Sequence, residues 1–194
     1  MGKGRLEAFS DGVLAIVITI MVLEIKVPHS GDLAALRPLL PVFLGYALSF
    51  VYIGIYWNNH HHMLHATRRI NGPIMWANLH LLFWLSLLPI LTGWLGENPF
   101  DPWPTAIYGV DLFMAALAYL LLERAIVAYN GQESVLASAV GTEVKGKISA
   151  ALYLAAIVLA FVQHWISDAL YTFVAILWVV PDPRIEKAMT AKTD

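Results

Sequence analysis

Four histidines fall within six residues, His60, His61, His62 and His65, and they are the side chains best equipped for chemistry. His61 and His65 stand at i and i+4, which puts both imidazoles on one face of a helix. Two such rings can share a zinc ion, but a catalytic zinc also needs a third protein ligand and an open position. No Asp or Glu lies in this segment, and the chain contains no His-Glu-x-x-His pattern. It contains no cysteine, which removes thiolates as ligands and as nucleophiles. No Ser/His/acid arrangement, glycine-rich phosphate loop or pair of catalytic carboxylates can be read elsewhere. An enzyme would rest on the histidines alone, so the expectation is a protein that is not an enzyme and binds no metal or other cofactor. Two readings of the histidines remain: polar anchors at a membrane surface, or a hydrogen-bonded brace for a neighbouring helix.

A second group, Arg5, Glu7, Ser10 and Asp11, precedes the first apolar run. A membrane helix needs about 20 predominantly apolar residues. Only the twelve residues from Gly12 to Leu23 lie between Asp11 and Glu24, so a spanning helix must begin near Arg5. That start draws Ser10 and Asp11 towards the hydrocarbon, where ionisable side chains face protein or water. Asp11 therefore needs a partner, either Arg5 or a polar group on another helix. Further along, Ile16, Ile20 and Leu23 share one face at i, i+4 and i+7, with Thr19 beside them and Gly12 a turn below Ile16. By spacing alone, that stripe also fits ordinary helix packing, with Thr19 bonding back to a carbonyl.

The elements that must position these groups are membrane helices. Of 194 residues, 59% are hydrophobic and only 13% charged, which describes an integral membrane protein rather than a soluble domain. The net charge of −2 gives no basis for binding nucleic acid. The apolar runs predict an all-α fold of six spans in a single domain, residues 1–194. The expected spans are 5–27, 38–62, 73–95, 104–123, 147–163 and 167–181, with Pro89 kinking the third. The last is the shortest. The N-terminal run is not a signal peptide, because no small-residue cleavage site follows Leu23. With the N-terminus inside, ten of the 12 Lys and Arg residues fall on the inner side; only Lys26 and Arg37 fall outside. That bias keeps the sixth span and places both termini in the cytoplasm. Asp111, in the fourth span, is expected to reach the interface. Thr105-Ala106-Ile107-Tyr108-Gly109 is superficially similar to the Thr-Val-Gly-Tyr-Gly potassium filter. It is rejected as one, because Ile107 replaces a glycine and no pore helix precedes it.

Arg5-x-x-x-Phe9-Ser10-Asp11-Gly12 at the head of a first membrane helix resembles the signature of the transmembrane protein 175 family of potassium channels. The resemblance extends to Trp57-x-x-His60-His61 at the end of the second span and to the closing Pro181-Asp182-x-Arg184-Ile185-Glu186. It implies the short prokaryotic form, multi-pass in the plasma membrane and surrounded by lipid: a homotetramer with four copies of helix 1 around a central pore. It further implies that Ile16, Ile20 and Leu23 form apolar rings, with Thr19 favouring potassium, the permeant ion. Arg5, Phe9, Ser10 and Asp11, with Trp57 and His60 or His61, would brace the pore helix.

Three other functions are weighed against this one. A proton-conducting channel of the same architecture differs only in its permeant ion. A membrane metalloenzyme would need zinc at His60–His65. A secondary transporter would need a discontinuous helix at its midplane site, and the first helix has no proline break.

Overall fold

The computed structural model describes residues 2–131 and 144–179. The closing Pro181-to-Glu186 motif, and the end of the expected sixth span, lie outside the described residues. Among the described residues six α-helices follow one another: α1 (Lys3–Leu23), α2 (Leu40–His65), α3 (Gly72–Glu97), α4 (Pro102–Asn130), α5 (Val144–Leu159) and α6 (His164–Val179). A 3₁₀ turn, Leu33–Leu39, leads into α2. Among the described residues there is no strand.

Local chemistry sets the helix ends. Pro41, Pro73 and Pro102 sit in the first turns of α2, α3 and α4, where a missing N–H costs nothing. Asn71 caps α3, its side chain accepting from the Ile74 N–H at 3.1 Å. Gly131, at φ +93°, stops α4 in a conformation that other residues adopt poorly.

Several boundaries depart from expectation, α5 among them, which ends at Leu159 rather than 163. α1 ends at Leu23 rather than 27, because Glu24-Ile25-Lys26-Val27-Pro28 already belongs to the connection that follows. α4 runs seven residues past 123 to Asn130: Glu123 and Arg124 mark where the helix leaves the apolar layer, not where it stops, and Ile126 beyond them is fully buried. α6 begins at His164 rather than 167, so Ser167-Asp168 lies inside the helix. The Ser167 hydroxyl donates to the Ala156 carbonyl at 2.6 Å and ties α6 to α5.

By length and composition α1, α3, α4 and the Leu33–His65 segment can each cross a membrane, whereas α6 is a shorter apolar helix. α5 and α6 show 16 described residues each, about 24 Å at the α-helical rise of 1.5 Å per residue.

α3 is the central element, packed on α4, α2 and α1, while α4 also carries α5 and α6. Two glycines permit close approach. A Cβ at Gly96 would lie 2.6 Å from the Val42 Cα, so α3 crosses α2 there backbone to backbone. A Cβ at Gly109 would meet the Tyr171 hydroxyl group. Gly109 is thus a packing residue, and the whole of Thr105–Gly109 is helical, so its carbonyls serve the helix rather than an ion.

Candidate functional site

α1 has two sharply different faces. Leu6, Ser10, Leu14, Val17 and Met21, spaced by three or four residues, are buried against α2 and α3. Ile16, Ile20 and Leu23 point the other way, with 58%, 44% and 79% of their surfaces exposed. Arg5, Phe9, Gly12 and Thr19 lie on the same outward stripe. The Thr19 hydroxyl donates to the Ile16 carbonyl at 2.9 Å. Its proton is thereby turned into the helix, and its oxygen lone pairs remain outward as acceptors.

The inner third of α1 is held by polar bonds. Ser10, fully buried, donates its hydroxyl proton to the Leu6 carbonyl at 2.9 Å. The same oxygen accepts from Asn78 Nδ2 of α3 at 3.0 Å. Asn78 Oδ1 in turn lies 2.6 Å from His60 Nε2 of α2. Because the amide N–H₂ is spent on Ser10, its oxygen faces His60, and Nε2 must carry the proton. The row therefore has one polarity: His60 gives to Asn78, Asn78 to Ser10, and Ser10 to the α1 backbone.

Asp11, on the exposed side of this row, accepts from Trp57 Nε1 at 3.0 Å. Its partner is thus on α2 and is not Arg5, whose side chain makes no hydrogen bond or ion pair among the described residues. Lys3 takes a different anchor, donating to the His65 carbonyl at 3.0 Å.

The structure separates the adjacent histidines. His60 is buried, whereas His61 is exposed and lies between the rings of Trp57 and His65, with centroids 6.3 and 6.1 Å away. Phe9 is 49% exposed and stacks on no ring among the described residues. Among those residues no group of three His, Asp or Glu side chains is placed to hold a metal ion.

Sequence reading missed Asn78, the residue that joins the three helices. The available signal was an amide within an otherwise apolar span, a position where polar groups are expensive and find partners. A groove of about 340 Å³ lies between α1 and α3, lined by Ile16, Ile20, Glu24, Ser86, Pro89 and Ile90 among others.

Other proteins resemble this chain in sequence and in fold. Residues 5–89, which span α1, the bracing part of α2 and Asn78, match the family model described as endosomal/lysosomal potassium channel TMEM175. A potassium channel of Chryseobacterium sp. is 52% identical over 97% of this chain and 98% of the relative. The bovine endosomal/lysosomal proton channel TMEM175 is 37% identical, over 46% of this chain and 21% of its own length. Among solved structures, the crystal structure of a homologue of the lysosomal potassium-selective channel TMEM175 from Chamaesiphon minutus superposes with a TM-score of 0.79. It is 28% identical and covers 91% of this chain and 96% of that one. Near-complete coverage at both the sequence and the fold level, joined to the same first-helix signature, settles the family: this chain is a member of the TMEM175 family.

Proposed function

We propose that the chain is the subunit of a potassium-selective channel, in which four copies place α1 around a common axis. The observation that carries this reading is the outward stripe of α1. Ile16, Ile20 and Leu23 are large apolar residues turned away from the subunit's own core, on the helix whose opposite face is fixed by buried bonds. Naming of a near full-length relative as a potassium channel supports the choice of ion. One helix encloses nothing, and four-fold closure of identical surfaces is an ordinary route to a ring.

In that assembly Ile16 forms the main constriction, and Ile20 and Leu23 form rings towards the outside. Narrow apolar rings exclude water, and an ion without water does not pass, so such rings gate by dewetting. Thr19 presents hydroxyl lone pairs to the cation, directly or through water. Ser10 with Asn78 and His60, and Asp11 with Trp57, hold α1 at the rotation that turns the stripe inward; His61 backs the Trp57 indole. Arg5 and Phe9, unused within a subunit, meet the neighbouring copies at the inner mouth. The channel sits in the plasma membrane of a prokaryote among its lipids, with both ends cytoplasmic, as the distribution of basic residues supports.

The test is flux from liposomes loaded with potassium, with sodium-loaded liposomes as control. Potassium efflux should outrun sodium, and Ile16→Asn should raise the flux several-fold or blur the ion preference. Unchanged flux and preference in that variant would remove Ile16 as the gate. The naming of animal relatives as proton channels favours one second reading, conduction of protons through the same pore. A pH gradient imposed without a potassium gradient decides it: a reversal potential that follows pH supports protons, and one that ignores pH supports potassium.

A further inference from the structure

Asp111 lies inside α4 with 2% of its surface exposed, and neither carboxyl oxygen has a hydrogen-bond partner among the described residues. One turn earlier on α4, Tyr108 opens a buried cluster of hydroxyl-bearing side chains. Its ring meets Tyr171 of α6, which in turn meets Tyr153 of α5, and the Tyr153 hydroxyl reaches Tyr52 of α2. From α3 comes the Thr92 hydroxyl.

Several hydroxyl groups of this core are committed to other partners. Tyr52 donates to the Tyr171 carbonyl at 2.6 Å, Tyr153 to the Tyr52 oxygen at 3.4 Å and Tyr171 to the Thr105 carbonyl at 3.0 Å. Ser49 is shared between Thr92 at 2.6 Å and Tyr108 at 2.9 Å. Among the described residues, an ionised carboxylate here would have no hydrogen-bond donor, the arrangement that buried charges do not tolerate. A neutral acid suits the same surroundings, because it leaves no uncompensated charge in the interior.

We propose that Asp111 is a proton-binding site, one per subunit, which holds its proton as a neutral carboxylic acid inside the hydroxyl-lined core. The ligand is a proton, and the site is separate from the α1 stripe and from the Ser10–Asn78–His60 row. One turn before it, Tyr108 begins a row of polar contacts through Ser49 to Thr92, whose oxygen lies 4.0 Å from the Met21 sulfur on the buried face of α1.

Infrared spectroscopy of the full-length protein in bilayers at neutral pH tests the site without any flux measurement, so it does not depend on the channel reading. The chain has 14 Asp and Glu residues, and those exposed to water contribute carboxylate bands at this pH. The difference between wild type and Asp111→Asn should show loss of the carbonyl stretch of a neutral acid. Asp111→Leu, apolar and unable to ionise, should show the same loss and serves if the Asn variant does not fold. Loss of a carboxylate band in either variant, with no change in the neutral-acid region, would overturn the proposal.

Discussion

At the scale of single residues, Asn78 carries more than its neighbours, because it is donor to one buried group and acceptor to another. Asn78→Leu leaves His60 Nε2 without its acceptor and the Ser10 oxygen without its donor in a dry interior, although Ser10 keeps its bond to the Leu6 carbonyl. At about 1–3 kcal/mol for each stranded group, the expected loss is about 2–4 kcal/mol, read as a lowered thermal midpoint of the purified protein. Asn78→Leu combined with His60→Leu should cost less than the two single changes added, since residues in one network are not additive. Trp57→Phe should cost about 1 kcal/mol or less, because the Trp57–Asp11 bond lies at an exposed position. The histidine run shows what a sequence conveys at this scale and what it does not. That a histidine should brace α1 could be read from the motif, but adjacent residues differ by about 100° of rotation. Only packing decides that His60 turns inward and His61 outward. Asp111 was misjudged for a related reason: in one dimension, depth in a span is visible, but the side of the helix that the rest of the bundle covers is not.

At the scale of elements, the rotational phase of α1 makes a clear pair of predictions. Leu14 is 1% exposed and Ile16 58%, two residues apart on one helix. Leu14→Asn places an amide among apolar side chains and should lower the thermal midpoint by an amount corresponding to about 3 kcal/mol or more. Ile16→Asn should leave the midpoint near that of the wild type. Packing of α4 on α6 gives another: Gly109→Ala forces the Tyr171 ring aside, an overpacking expected to cost about 1–3 kcal/mol in the same measurement. The number, order and helical nature of the elements were legible because apolar runs separated by polar turns are a one-dimensional signal. The inner end of α4 was not, because a helix leaving the apolar layer changes composition without changing its backbone. Asn130 anchors that end by accepting from the Arg68 and Arg69 backbone N–H groups at 3.2 and 2.9 Å, a clamp that no local pattern announces.

At the scale of the whole molecule, an assembly about α1 can be tested through chemistry that the chain lacks. With no native cysteine, one introduced thiol is the only site that can be cross-linked. Ile16→Cys, on the outward stripe, should give a disulfide-linked dimer band when membranes are oxidised, because copies of that residue face one another across the axis. Leu14→Cys, buried within its own subunit, should give none. Equal cross-linking of the two variants, or none in either, would count against a ring of α1 helices. The family was readable from the first eight residues of the motif, whereas the copy number was not, since symmetry resides in surfaces that meet only between chains.

The bonds holding α1 are unevenly spread along its length, and this has a consequence for motion. The N-terminal third is joined to two neighbouring helices by the row through Asn78 and by the Trp57 indole. Towards the C-terminal end, the polar contacts to other helices among the described residues are the Thr92–Met21 sulfur contact and a solvent-exposed Lys26–Glu97 ion pair just past the helix. Segments open independently where buried bonds are few. The helix is thus a lever with its fulcrum at the N-terminal end and its travel at the other. Amide hydrogens near Ser10 should exchange with heavy water only when the three-helix group comes apart as a unit, whereas those from Thr19 to Leu23 should exchange orders of magnitude sooner.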